Sequence, residues 1–302
     1  GVDKTFQPDD PVGMMGLFAA GLDQLDPDKW GEFYASAAAE SGLTWRPHPA
    51  RITLLDICAL QAEHHMAIHG TTREQIASSA SKNHGHGALN PKAQYQSEMT
   101  VQEVLEDKPV VGPLTRAMCA PIGDGAAAAV LCSAATLSEL PAEIRERAVR
   151  LSSCAMAGGT WRGLGAPSPA RTAADRAYQL AGISPEDVDI VELHDATSFA
   201  ELHLSEMLRL CPEGQGGNYV ASGAASLGGK RPANTSGGLV SKGHPLGASG
   251  VAMVHELVTQ LRGEAGARQV EGASVALQET GGGMIGFDEA LTSVMVLERT
   301  EG

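Results

Sequence analysis

Three short stretches hold the residue types that could do chemistry. The first, Asn234 to Gly250, sets His244 among glycines and runs straight into an amphipathic helical pattern over 251–262. Glycine lets backbone come close to a ligand, and a helix start offers unpaired N–H groups and partial positive charge. His244 is therefore placed to act as a base or hydrogen-bond donor toward an anion or a polarised carbonyl. The second stretch is His194-Asp195, directly after the alternating strand pattern 188–193. Ligands of open α/β sheets bind beyond the C-terminal strand ends; the plainer reading is that Asp195 or Thr197 caps the next helix. The third is Glu279-Thr280-Gly281-Gly282-Gly283. A carboxylate at a strand end can move protons if burial raises its pKa. The glycines can aim backbone N–H groups at an oxyanion. The alternative is a glutamate that hydrogen-bonds the glycine loop or faces solvent.

Other candidates are weaker. His84 and His86 lie in a glycine-containing stretch, 83–91, that reads as a loop whose histidines bond to backbone rather than to metal. His64, His65 and His69 sit on or after one helix, but no Glu stands where a zinc-binding H-E-x-x-H helix requires it. They read as helix-surface or core-edge residues, and no metal site is expected. The five cysteines, 58, 119, 132, 154 and 211, have neither metal nor redox spacing. They read as reduced, buried thiols of a cytoplasmic protein. Cys119 tempts as a nucleophile, but a structural role is preferred.

The elements that must position these residues alternate. Helical spacing covers 14–25, 30–41, 51–69 and 72–82, the last with a cap-like start at Thr72 and Gln75. The small apolar run 126–132 reads as a strand buried on both faces. Strand patterns at 148–155, 188–193, 274–278 and 291–297 alternate with helices at 171–181, 198–210 and 251–262, which predicts an α/β sheet of parallel strands. The chain of 302 residues is long enough for a large core. No apolar run reaches the ~18 residues of a membrane span. A net charge of −14 argues against a nucleic-acid footprint.

Asn234-x-Ser236-Gly237-Gly238 with Gly243-His244-Pro245-x-Gly247-Ala248-Ser249-Gly250 resembles the histidine motif of the thiolase superfamily, nearest to its sterol-carrier-protein-type members. Glu192-Leu193-His194-Asp195, Lys82-Asn83-His84-x-His86 with Asn90-Pro91, Asp124-Gly125-Ala126, and Gly281-Gly282-Gly283 extend the resemblance over nearly the whole chain. It implies a layered thiolase-like α/β fold: a helical loop domain (1–108), the end of a first half (109–142) and a complete second half (143–302). It implies an acyl-CoA thiolase of lipid metabolism, such as β-oxidation, that cleaves or forms a β-ketoacyl-CoA. By that match His244, His194 and Glu279 are catalytic, and Asn234, Ser236, Gly237, Gly238, Gly281, Gly282 and Gly283 bind substrate. Coenzyme A enters as substrate or product, with no bound cofactor, and the protein is a homodimer, with a small acyl-CoA-binding partner subunit as a further option. Arg46, Arg51, Lys230 and Arg231 are candidates for the nucleotide end. Two positions depart from the pattern: Ala196 and Glu279 stand where relatives keep cysteines. The nucleophilic cysteine belongs to a segment expected before Gly1, roughly 100 residues if the halves have ordinary domain size. The departures keep two alternatives open, a retro-aldol lyase acting on a β-hydroxyacyl-CoA and a non-catalytic acyl-CoA-binding subunit.

Overall fold

Alternation with period two decides the sheet. A computed structural model describes residues 1–22 and 27–300. Four strands, β1 (Val149–Gly158), β2 (Ile190–Glu192), β3 (Val275–Gly282) and β4 (Leu291–Arg299), lie in the order β1-β4-β3-β2. Successive side chains of a strand point to opposite faces. Ile190, Ala276 and Leu297 accordingly meet Leu257 and Leu261 on one side, while Val191, Leu277, Val294 and Val296 join Ala170, Ala173, Ala174 and Ala177 on the other. The helices that supply these partners are Pro169–Ala181 and Leu246–Leu261. The first starts on a Ser168 cap with Pro169 at its first turn and stops at left-handed Gly182, as start and stop signals require.

The expected parallel sheet is mixed. β2 runs parallel to β3, but β4 is antiparallel to both β3 and β1. The reason is the short connection between β3 and β4, residues 283–290, which permits a return but not a crossover. The parallel pair matters for the site. Its register sets Glu192 opposite Gln278, so the residues after β2 and the end of β3 emerge side by side.

The first part of the chain is helical. The helices that frame the site are α1 (Thr53–His69), α2 (Arg73–Ala88), α3 (Pro169–Ala181), α4 (Ser198–Met207), α5 (Gly238–Lys242) and α6 (Leu246–Leu261). The capping box of Thr72 and Gln75 opens α2 as read from sequence. Two further helices span Pro11–Ala19 and Pro27–Glu40; the first stops at Ala19 in a turn, short of the expected 25, and residues 23–26 lie outside the described ones.

Two expectations are overturned. The stretch 83–91 is not a loop, because α2 continues through Ala88. Its Gly87 serves close packing: a Cβ there would collide with the Ser241 side chain of α5 and stand 3.0 Å from Tyr95 O. Nor is 126–132 a buried strand. Gly125–Ala126 pairs with Val2–Asp3 for two residues, and beyond it Val130 and Leu131 are 99% and 79% exposed. Small apolar residues read as buried, but burial needs a neighbouring edge, and among the described residues Val2–Asp3 supplies only this much. The cysteines also differ from expectation: all five are free, but Cys132 and Cys154 are exposed.

His65 lies in the core, its Nδ1 2.9 Å from Thr71 Oγ1 and its Nε2 3.1 Å from Glu206. His84 bonds Ala117 O at 3.1 Å. His86 is locked as a neutral ring: Nδ1 donates to Asn234 O at 3.0 Å and Nε2 accepts from Leu227 N at 3.2 Å. Burial, with Lys82 nearby, lowers its pKa to about 3. A depressed imidazole contributes stability above its unfolded pKa and loses it as pH falls toward the folded value. We expect wild type to lose ~1.4 kcal/mol more per pH unit than His86→Gln between about pH 6 and pH 4. Urea unfolding of both proteins at several pH values measures the difference; equal slopes would contradict the locked tautomer.

Candidate active site

The parallel register brings the two strand-end motifs together. His194, two residues past β2, donates its backbone N–H to Glu279 Oε2 at 3.2 Å, and its Nδ1 lies 3.1 Å from Thr280 Oγ1. His244 arrives from the loop between α5 and α6. The two imidazoles meet edge to face, ring centres 5.0 Å apart and planes at 88°. Both rings help to wall a cavity of about 500 Å³.

Ser249 fixes the His244 tautomer. Its hydroxyl donates to Pro245 O at 2.9 Å and has one proton to give, so at 2.8 Å from His244 Nδ1 it is the acceptor. Nδ1 therefore carries the ring proton and Nε2 keeps a free lone pair. Both rings are neutral at pH 7. Burial lowers His194 to about 4 and His244 well below the ordinary imidazole value, with the Lys242 ammonium adding to both and His194 to the latter.

Asp195 is a cap, but of another helix than the sequence suggests. Its Oδ1 accepts from Leu239 N of α5 at 2.6 Å and its Oδ2 from Asn83 Nδ2 at 2.8 Å. Asp195 thus ties the His194 strand end to the loop that delivers His244. Burial, then the neighbouring Glu201, raises its carboxyl well above the usual range. Glu201 on α4 accepts from Ser79, Asn83 and Asn234 and pairs with the Lys82 ammonium at 3.0 Å.

The structure distributes the candidate residues unevenly. His194, His244, Gly281, Gly282 and Gly283 line the cavity. Asn234, Ser236, Gly237 and Gly238 form the scaffold behind it. Asn234, at φ 56°, accepts from Leu193 N through Oδ1, and Ser236 gives both its N–H and its hydroxyl to Glu192. Ser236 lines instead a second cavity of about 880 Å³, together with Lys92, Lys242 and Arg268. Glu279 is fully buried, with Oε1 unpartnered. Burial above all, with Glu289 adding, keeps its carboxyl well above the usual range.

Among the nucleotide candidates, Arg231 is buried and donates to Val188 O and Leu210 O, so its guanidinium is occupied inside the protein. Arg51 lines the first cavity but is held by Asp56, Val110 O and Arg46 O. Arg46 is paired with Glu63, and Lys230 is exposed.

The cavity also holds residues that no motif marks. Cys58 and Gln61 reach it from α1, His203 from α4 and Glu289 from the connection after β3. Burial sets the Cys58 and Cys119 thiols at about 12, so neither is a thiolate at neutral pH. His203, its Nε2 unpartnered, stacks on Phe199 with ring centres 6.1 Å apart. Their i, i+4 spacing on α4 was the one available signal.

These features define a mixed α/β protein with a glycine-walled cavity at its strand ends and two neutral imidazoles in edge-to-face contact on the cavity wall. The family described as Thiolase C-terminal domain-like matches residues 160–299. The chain is 39% identical to an acetyl-CoA acetyltransferase of Methanothermobacter thermautotrophicus over 88% of this chain and 69% of that one. The chain belongs to the thiolase superfamily. It is also 42% identical to bovine (Bos taurus) sterol carrier protein 2, covering 75% of this chain and 44% of the relative, so it spans about half the length of that protein. The solved Ltp2-ChsH2(DUF35) aldolase shares the fold, with a TM-score of 0.68 at 20% identity over 92% of this chain and 69% of that one. Among the described residues no helix is long and apolar enough to cross a membrane.

The Ser249 contact carries a direct expectation. Ser249→Ala removes the acceptor that orients His244, so turnover of the full-length protein should fall about tenfold while stability changes by no more than ~1 kcal/mol. Steady-state kinetics beside urea unfolding decides it; unchanged turnover would mean that His244 needs no fixed tautomer.

Proposed function

We propose that this chain forms the carbonyl-activating part of an acyl-CoA site and works as a thiolase-type acyltransferase that splits or forms a β-ketoacyl-CoA. The observation that carries the reading is the pair of neutral imidazoles 5.0 Å apart on one cavity wall. A neutral imidazole can hold a thioester oxygen or accept a proton without first losing one. With its lone pair on Nε2, His244 takes a proton from the attacking thiol. With the Thr280 hydroxyl donating to Nδ1, His194 offers Nε2–H to the thioester oxygen. The wall at Gly281, Gly282 and Gly283 leaves room for a substrate to approach the backbone. The carboxyl group of Glu279, buried within β3 and bonded to the His194 backbone N–H, supplies acid/base capacity behind them.

The division of the chain at 108 and 142 belongs to the same proposal; the family match at 160–299 falls within the last part. So does assembly as a homodimer or with a small partner subunit. The Ltp2-ChsH2(DUF35) aldolase, whose name joins two components, supports the latter.

A second reading, retro-aldol cleavage of a β-hydroxyacyl-CoA, is favoured by two residues. Ala196 and Glu279 replace cysteines of the family pattern, and Ala196 lines the cavity. That reaction needs a base and enolate stabilisation but no acyl-cysteine.

Iodoacetamide separates the readings in the full-length protein. Exposed Cys132 and Cys154 will be alkylated in any case, so the readout is inactivation that acyl-CoA protects against. The acyltransferase should show it and the lyase should not. On either reading Glu279→Gln should lower turnover on the order of 100-fold. A Glu279→Gln protein that turns over normally would remove Glu279 from the chemistry.

A further inference from the structure

The wall that carries His194 and His244 includes a carboxyl that neither the motifs nor the reading above uses. Glu289 touches Gly281 and lines the same cavity as Cys58 and the two histidines, whereas Glu279 is fully buried behind that wall. The two carboxyls are neighbours by strand geometry. Residues two apart on a strand share a face, so the side chain of Glu279 and the α-carbon of Gly281 look the same way on β3. A Cβ on Gly281 would overlap Cβ, Cγ and Cδ of Glu289. The stem of Glu289 thus lies flat on Gly281, beside the carboxyl of Glu279. Gly281 lacks a side chain because Glu289 occupies its place. Oε1 of Glu279 has no hydrogen-bond partner among the described residues.

We propose that Glu289 is the catalytic residue that exchanges the α-proton of the acyl-CoA substrate, and that Glu279 is the positioning residue that holds a second proton behind it. This rests on the acyl-CoA reading and names the proton acceptor within it. Two adjacent carboxylates shielded from water do not both ionise at neutral pH. Burial is the first cause of the upward shift in each, and Glu289 further raises Glu279. The other groups facing Glu289 are Asp288, which pushes it up, Arg162 and the Thr292 hydroxyl, which pull it down, and the Cys58 thiol. Arg162 is itself bound to both oxygens of Asp288. Glu279 therefore keeps its proton while Glu289, at the cavity wall, supplies the carboxylate.

In the step the Cα–H bond breaks and the proton passes to the Glu289 carboxylate. The bonding pair moves into the thioester to form an enolate, whose oxygen faces His194 and His244. The reverse step returns the same proton to carbon, so atoms and charge balance without a further reactant.

The test incubates the full-length protein with straight-chain acyl-CoA thioesters, acetyl to octanoyl, in D2O and follows deuterium at Cα by proton NMR. Glu289→Gln should exchange about 100-fold more slowly with KM within about threefold, and Glu289→Asp should fall between. Wild-type exchange should rise with pH as the carboxylate forms, and Glu289→Gln should lack that limb. Gly281→Ala, which displaces the Glu289 stem, should show the same loss while thermal unfolding reports that it is folded. Glu289→Gln exchanging at the wild-type rate with an unchanged pH profile overturns the proposal and leaves the acyl-CoA reading standing. A wild type that exchanges none of these thioesters overturns that reading, and the role of Glu289 with it.

Discussion

Glu201 has no exposed surface, yet the Lys82 ammonium stands 3.0 Å from one of its oxygens and three donors, Ser79, Asn83 and Asn234, converge on the other. A buried charge on this scale is tolerable only when it is paired and hydrogen-bonded, and removing one partner of such a pair costs about 3–5 kcal/mol. The donors come from α2 and from the segment after Ala233, and Glu201 itself from α4. Three parts of the chain distant in sequence are therefore pinned at one point. Asn83 passes the constraint to Asp195, which holds α5, and α5 leads into His244. The placement of His194 and His244 at the strand ends depends on this knot of polar groups.

The motifs of the site were legible in the sequence because they are local. A histidine among glycines before a helix, and a glycine run at a strand end, keep their meaning wherever the chain folds. The sheet was legible as alternating apolar residues, but its direction was not: β4 carries the same pattern whether it runs up or down. The helix of 83–88 was hidden because Gly85 and Gly87 read as loop residues, while the reason for Gly87 is a side chain of α5 more than 150 positions away in sequence. The strand expected at 126–132 failed for the opposite reason, since composition reports what a residue prefers and not what stands beside it.

Residues that work through long-range contacts left the weakest trace. Nothing around Glu289 marks it, for Asp288-Glu289 between two strands reads as an ordinary polar turn. Arg231 looked available and is instead consumed by the carbonyls of Val188 and Leu210. Asn234 and Ser236, read as ligands, act one layer back, where they hold the backbone that holds the histidines. The motif residues thus divide between those that line the cavity and those that brace it, and sequence alone does not separate the two.

The antiparallel return from β3 to β4 has one more consequence. The side-chain period of a strand is two, so slipping β3 by one position would turn Glu279 to the opposite face of the sheet. There it would face Gly250 at the start of α6, where Gln278 and Thr280 now point, and Glu289 would stand alone at the wall with nothing beside it to share a proton. An insertion in 283–290 has a different outcome, for it would move Glu289 and leave Glu279 where it is. Strand register and the length of one hairpin thus decide together whether the two carboxyls meet.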